Sequence, residues 1–406
     1  MKRFALTLVS LFALLFPARA FAQAAHVYVQ TAKGVNLYDA SSTGKLSLVS
    51  GSPFQTTGAM IGSDGTHFVT LGTDYAHAYS LAANGAIKEQ VSEIDTQSYS
   101  GAACGTAAGA VLDHSGGYLY VTLQGPYGVA RTCDAFQTYS IAKTTGELTF
   151  KGAVRFGSTQ QGVSFAALPT FSGDGAFAYE VLCCGYPDES FLTGFSRDSS
   201  GALSAIGALL PNGDPAGQPG MTYQPIPTSL DGEFNPNPVS ATNIAADATN
   251  HLAVILCPVQ NWPNGCSDGP VVNQIASYTI GSNGHLSTTN TWENMPTLTI
   301  TSESCDDGCQ PIEMAMSPSG RILAVSVETG VQFFHFNAAE PITAFTGIIG
   351  VSGHISSMQW DSSNHLYAIN GASGRLHVYT AATTGVDEAP GSPYAIGAEG
   401  LVVVPE

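Results

Sequence analysis

The feature that most constrains this chain is a hairpin that keeps returning. A polar turn between two apolar runs occurs in AVLDHSGGYLYVTL (Ala110–Leu123), PTFSGDGAFAYEVL (Pro169–Leu182) and NIAADATNHLAVIL (Asn243–Leu256). MAMSPSGRILAVSV (Met314–Val327) and MQWDSSNHLYAING (Met358–Gly371) continue the series, and MIGSDGTHFVTLG (Met60–Gly72) is a degenerate copy. A second hairpin follows each one, with an aromatic residue, a short polar stretch and then Gly. LYDASSTGKLSL from Leu37, TYSIAKTTGELTF from Thr138 and SYTIGSNGHLST from Ser277 are examples. Asp, Ser and Asn bond the local backbone and Gly accepts positive φ, so these segments make tight turns. The alternating apolar residues beside them suit strands packed on both faces.

Two successive hairpins make a four-stranded antiparallel meander. About six such units follow one another, and the chain ends supply a seventh. AHVYVQT, VNLYDA and KLSLVSG at the N-terminus match the second, third and fourth strands of a unit. The missing first strand is GLVVVPE, Gly400–Glu406. The expected fold is therefore all-β: a seven-bladed β-propeller of four-stranded blades, closed by pairing the C-terminal strand with the N-terminal blade. A β-helix would show a shorter period, and paired sandwiches would leave no orphan strand to be filled from the far end. Blade six departs from the pattern, with Pro341 in place of the turn Gly.

A basic start (Lys2, Arg3), the apolar run Phe4–Phe16 and the small-x-small sequence Ala22-Gln23-Ala24 read as a secretory signal peptide over 1–24. Ala20-Phe21-Ala22 competes as the cleavage site. The expected domain division is signal peptide 1–24 and one propeller over 25–406. No later segment is apolar enough to span a membrane, so a secreted or periplasmic protein is expected. The formal charge is −18, and loss of Lys2, Arg3 and Arg19 with the leader makes it −21. Nucleic acid is excluded as a partner, because it needs clustered Lys and Arg.

DHSGGYLYVTL, SGDGAFAYEVL and SPSGRILAVSV, with GSPF at Gly51 and GSPY at Gly391, resemble the repeats of the lactonase-type seven-bladed propellers. That family is the 6-phosphogluconolactonase-like one, related to the YVTN-repeat surface proteins. The resemblance implies lactone chemistry near the central channel, carried by acidic, His and Arg side chains. This chain departs from the family where Pro311-Ile312-Glu313 stands in place of a His-containing stretch. Only Arg131, Arg155, Arg197, Arg321 and Arg375 remain after export.

The eight cysteines all map to one face of such a propeller, the face of the long loops between second and third strands and between blades. Disulfides Cys104–Cys133, Cys257–Cys266 and Cys305–Cys309 are expected. Cys183 and Cys184 could form a vicinal bridge, stay as thiols or pair elsewhere. A thiolate metal site would need further ligands at useful spacing, and calcium at Glu303, Asp306 and Asp307 lacks the spacing of an EF-hand loop. No metal or cofactor is expected. Tyr127, Arg131, Tyr186 and Trp262 lie on the same loops and suit a sugar-like small molecule or a partner protein.

The familiar catalytic signatures are absent. The ten His residues look scattered, and His67, His251 and His365 follow hairpin turns as surface or packing residues. Counting back from each turn, one first-strand position holds Gly58, Gly109, Leu168, Asn243, Glu313 and Ser357. Glu313 is the single carboxylate there, a candidate general base, with His354 as a possible neighbour; the alternative is a Glu313 that merely holds a loop. Three functions follow. One is a monomeric propeller that binds a small molecule or protein on its stapled loop face. The second is a lactone hydrolase with a site near the axis. The third is a structural envelope or surface component.

Overall fold

A computed structural model describes residues 23–97, 106–124, 135–155, 165–166, 168–185, 189–206, 239–258, 272–291, 293–299, 313–327 and 329–405. In chain order, β1 (Gln23–Thr31), β2 (Gly34–Ser41) and β3 (Leu46–Leu48) begin the first blade. Blade two is β4 (Ala59–Ser63), β5 (His67–Leu71), β6 (Tyr75–Leu81) and β7 (Ile87–Asp95). Blade three is β8 (Thr106–Leu112), β9 (Tyr118–Gln124), β10 (Ala135–Ile141) and β11 (Leu148–Arg155). Blade four has a split first strand, β12 (Phe165–Ala166) and β13 (Thr170–Phe171), then β14 (Phe177–Gly185), β15 (Glu189–Arg197) and β16 (Leu203–Ala205). Blade five is β17 (Val239–Ala246), β18 (His251–Pro258), β19 (Val272–Ile280) and β20 (Leu286–Ser287), with β21 (Thr297–Thr299) also on β19. Blade six is β22 (Met314–Met316), β23 (Ile322–Val327), β24 (Gly330–His335) and β25 (Thr343–Gly350). Blade seven is β26 (Ile355–Trp360), β27 (His365–Asn370), β28 (Arg375–Ala382) and β29 (Gly385–Glu388), with β30 (Tyr394–Ala395) also on β28.

The last strand, β31 (Gly400–Pro405), completes blade one. It pairs antiparallel with β1, from Ala25↔Pro405 to Gln30↔Gly400, and gives the sheet order β3-β2-β1-β31. The expected closure is thus present. First strands of neighbouring blades lie side by side, β31 by β4 and by β26, and β22 between β17 and β26. Side chains tie this inner layer laterally. Trp360 Nε1 donates to the Ala315 carbonyl at 3.1 Å, and Gln359 exchanges hydrogen bonds with Leu401 O and Val403 N of β31.

Buried apolar side chains between adjacent sheets make the core. Tyr179, Val254 and Tyr278 fill the space between blades four and five, and Val27, Tyr367 and Leu401 that between blades seven and one. At the first turn of each unit an Asp or Ser caps the hairpin. Asp64, Asp113, Asp247 and Asp361 accept backbone N–H groups through Oδ1, and Ser172 and Ser317 do so through Oγ.

The second turns of blades one to five lock against the preceding blade. Gly85 has φ +74°, and a Cβ there would lie 2.8 Å from the His26 ring of the preceding blade. Gly44 stands in the same relation to His365, Gly146 to His67, Gly201 to Tyr118 and Gly284 to Phe177. Tyr28, Tyr120 and Tyr179 add buried hydroxyl donations to the carbonyls of Gly85, Gly201 and Gly284. The turn glycine legible in the sequence is therefore an inter-blade contact as well as a turn former. In blade six Ala338 takes the positive φ, +56°, ahead of Pro341.

Candidate active site at the axial mouth

Strand pairing fixes which first-strand residues are equivalent. Gly109↔Thr122, Asn243↔Ile255, Ser357↔Ile369 and Gly400↔Gln30 share one register, and Ser326 N donates to Glu313 O at the same level. Gly109, Asn243, Glu313 and Ser357 are thus brought to one ring, with Gly400 as the member from blade one. In blade two the matching residue is Ala59, opposite Leu71, rather than Gly58. The bulge in β4 falls between Met60 and Gly62, nearer the turn than in β8, β17 or β26. Leu168 lies between β12 and β13, and a Cβ on Gly109 would stand 2.9 Å from its Cδ2.

Glu313 immediately precedes β22. Its N–H donates to Ser326 Oγ at 2.9 Å and its carbonyl accepts from Ser326 N at 2.8 Å, so the backbone is held on both sides. The side chain keeps solvent access, while the surrounding blades displace much of its hydration. Among the described residues no donor or cation meets the carboxylate. Burial alone therefore pushes its pKa above the usual carboxylate range. Asn243 and Ser357 occupy the same register on the inner strands at either side. The ring offers one carboxylate flanked by an amide and a hydroxyl, with small or apolar residues elsewhere.

His354 is exposed on the segment entering β26, where its carbonyl accepts from Gly371 N and its ring lies beside Gly371. No hydrogen bond or ion pair joins it to Glu313 among the described residues. Tyr127, Arg131, Tyr186, Trp262, Cys104, Cys133, Cys266, Cys305 and Cys309 lie outside the described residues, as do Glu303, Asp306 and Asp307. Cys183 and Cys184 fall in the last part of β14 and Cys257 in β18, with Cys183 opposite Phe165 and Cys257 opposite Ser240. The described residues hold no cluster of three or more metal-ligating side chains.

Two further features stand out from the sequence expectation. The histidines are less scattered than they look: His67, His251 and His365 open the second strand of blades two, five and seven, and His26 holds the equivalent place in β1 of blade one. All four meet an Asp through Nδ1, at 3.0, 3.1, 3.1 and 2.7 Å. This periodicity belongs to the turn face, away from the axial ring. The other feature is Glu180, a fully buried carboxylate in β14. Aligned second strands carry Thr70, Val121, Val254 and Val325 at that position, so a Glu among them was the available signal.

No family model and no curated protein matches the chain. Solved structures do. A putative 6-phosphogluconolactonase from Bacteroides fragilis has a TM-score of 0.60 at 12% identity, over 95% of this chain and 99% of that one. A periplasmic gluconolactonase from Pseudomonas aeruginosa has a TM-score of 0.54 at 14% identity, over 94% and 99%. Hydrazine synthase from Kuenenia stuttgartiensis reaches 0.53 at 13% identity, over 87% and 91%. At these identities the likeness is one of architecture. The chain is a seven-bladed propeller with the fold of the lactonase-type proteins.

Proposed function

We propose that the protein is an exported lactone hydrolase that opens an unphosphorylated, sugar-like lactone at the axial mouth, with Glu313 as general base. The observation that carries this reading is an accessible carboxylate of raised proton affinity, without a partner among the described residues, in the inner ring of a lactonase-like propeller. In the step envisaged, Glu313 takes a proton from water as the water oxygen bonds to the lactone carbonyl carbon. Collapse of the tetrahedral oxyanion breaks the ring C–O bond, and Glu313 returns the proton to the departing alkoxide. The product is the open hydroxy acid, and Glu313 is regenerated. A base whose pKa lies nearer to neutrality accepts the proton more readily in the transition state. A formal charge of −18 and the lack of a Lys or Arg among the described ring residues speak against a phosphorylated substrate.

Export rests on the N-terminal sequence. Cleavage after Ala22 fits the fold better than cleavage after Ala24. Gln23 pairs with Ser41, and its side-chain amide meets His26 and Asp39 at 2.8 and 3.1 Å. The second reading is ligand or partner binding on the loop face. It is favoured by the clustering of all eight cysteines and of Tyr127, Tyr186 and Trp262 on that face of the blade map.

The deciding experiment is hydrolysis of a panel of sugar lactones by the purified protein beside Glu313→Gln. A kcat/KM lower by about 10²- to 10⁴-fold in the variant supports the general base. Equal rates in both remove Glu313 from the chemistry. Background rates in both, with saturable binding that is lost when the loops are trimmed, favour the binding reading.

A further inference from the structure

The joint between blades five and six departs from the joints made at Gly44, Gly85, Gly146, Gly201 and Gly284. At Gly44, Gly85 and Gly146 the turn of one blade sits against the His that opens the second strand of its neighbour. In blade six the turn carries Ala338 and Pro341 instead, and it leans elsewhere. Ser277 Oγ donates to the carbonyls of Ala339 and Glu340, at 3.3 and 2.9 Å, and Thr289 Oγ1 donates to that of Ala339 at 3.1 Å. Blade five also has Ala253 where Tyr28, Tyr120 and Tyr179 reach a turn carbonyl in other blades. The result is an open cavity of about 610 Å³ bordered by His251, Thr249, Arg321, His335 and Asn337. His251 shows the consequence: its side chain is 19% exposed, against 11%, 6% and 1% for His26, His67 and His365.

The chemistry of this cavity is one of donors. Asp247 also borders it, but its two oxygens are taken up by Thr249 N, Thr249 Oγ1, His251 N and His251 Nδ1. That arrangement fixes the imidazole by Nδ1 and leaves Nε2 for a ligand. His335 lies with its ring 4.2 Å from that of Phe345, which covers one face and orients it. Among the described residues neither Arg321 nor His335 makes a side-chain hydrogen bond or an ion pair. The Arg321 carbonyl accepts from Phe336 N at 2.9 Å, so the residue's backbone is fixed to the turn.

We propose that this cavity binds a small oxyanion, a carboxylate or phosphate group, gripped by the Arg321 fork with His335 and the imidazolium form of His251 as further donors. Guanidinium presents paired N–H groups that match either group in bidentate fashion. The excess of acidic residues does not forbid it, because salt screens distant charges beyond about 8 Å at physiological ionic strength. The site is on the turn face, remote in register from Glu313, and stands independently of the hydrolase reading.

The test is a titration of the purified protein with inorganic phosphate and, separately, with malonate at constant ionic strength, read by the ¹H–¹⁵N ring signals of the histidines. Saturable shifts at His251 and His335 are expected, with His26, His67 and His365 unmoved. The apparent dissociation constant should rise about tenfold or more in Arg321→Gln, the loss of one charge-assisted fork, and stay unchanged in Arg375→Gln. Tighter binding of one probe identifies which oxyanion source the site prefers. Shifts that fail to saturate, that chloride reproduces, or that persist unaltered in Arg321→Gln overturn the proposal.

Discussion

The turn face and the axial mouth treat the same chemical group in opposite ways. Asp64 sits in the first turn of blade two and receives Thr66 N, Thr66 Oγ1, His67 N and His67 Nδ1, all within 3.1 Å. Burial pushes its pKa up, but the hydrogen bonds from His67 and Thr66 outweigh burial, and the net displacement is downward. Glu313 has the burial without the donors, and its pKa moves upward. A carboxylate whose charge is satisfied holds a fold together. One left crowded and unsatisfied costs stability and gains reactivity. The comparison teaches where to look in a propeller built of near-identical blades: at the member of each equivalent set whose partners are missing.

The largest expected effect lies on the satisfied side. Arg197 donates through Nη2 to Asp113 at 2.8 Å and through Nε to Tyr120 Oη at 2.7 Å, and its guanidinium lies 4.7 Å from the centroid of the Tyr118 ring. Arg197→Ala removes the counter-charge of a nearly buried Asp113, which keeps only the Tyr118 N–H and Ser115 hydroxyl, and should lower unfolding stability by about 3 kcal/mol in a urea melt. Arg375→Ala, with no such knot, should stay within about 0.5 kcal/mol of the parent. Similar losses in both would mean that the knot stabilises no more than a surface charge does.

Next comes the turn contact itself. A Cβ at Gly201 would stand 2.3 Å from Tyr118 Cδ1, at a φ of +82° that L-residues rarely adopt. Gly201→Ala should cost about 1–3 kcal/mol, from overpacking and backbone strain together. Ala338→Gly at the open joint should go the other way, gaining less than about 1 kcal/mol as the positive φ is relieved. If both glycine-site changes were neutral by thermal melt, the inter-blade contact would be incidental to stability.

The blade architecture was legible because its determinants are local. Asp, Ser and Gly act within a few residues of where they stand, and the β31 closure could be read from an orphan apolar segment. The register of Glu313 was nearly legible too, failing only at Gly58, where the degenerate turn and bulged first strand of blade two give no reliable point to count from. What stayed hidden depends on neighbouring blades. Nothing in AYSLAANG or VYVQ says that Gly85 rests on His26, or that a Tyr hydroxyl reaches across to the turn. The histidine periodicity was missed for the same reason: its meaning lies in the Asp partners and in the next blade's turn. The open joint at His251 was half visible, since Pro341 marked blade six as irregular. Its consequence needed Ala253 and the displaced turn to be seen together.

The smallest effects are the most diagnostic, because they differ in sign. The native state holds Asp64 below the ordinary carboxylate value of 3.8, so its contribution is present above that pH and is lost as pH falls through the lower native pKa. Asp64→Asn should therefore destabilise by about 1 kcal/mol at neutral pH, the scale of a hydrogen bond strengthened by charge, with the difference shrinking in acid. For Glu313 the native pKa lies above 4.5, so the folded state binds the proton more tightly than the unfolded chain. Its ionisation costs nothing below 4.5, and the cost grows as pH rises to the native value. Glu313→Gln should match the parent in acid and exceed it at neutral pH, by a margin that solvent access keeps small. Thermal melts of both variants from acid to neutral pH would then diverge in opposite directions as pH rises. Parallel profiles would mean that Glu313 is satisfied by a partner after all, and a satisfied Glu313 would be a loop anchor and no base.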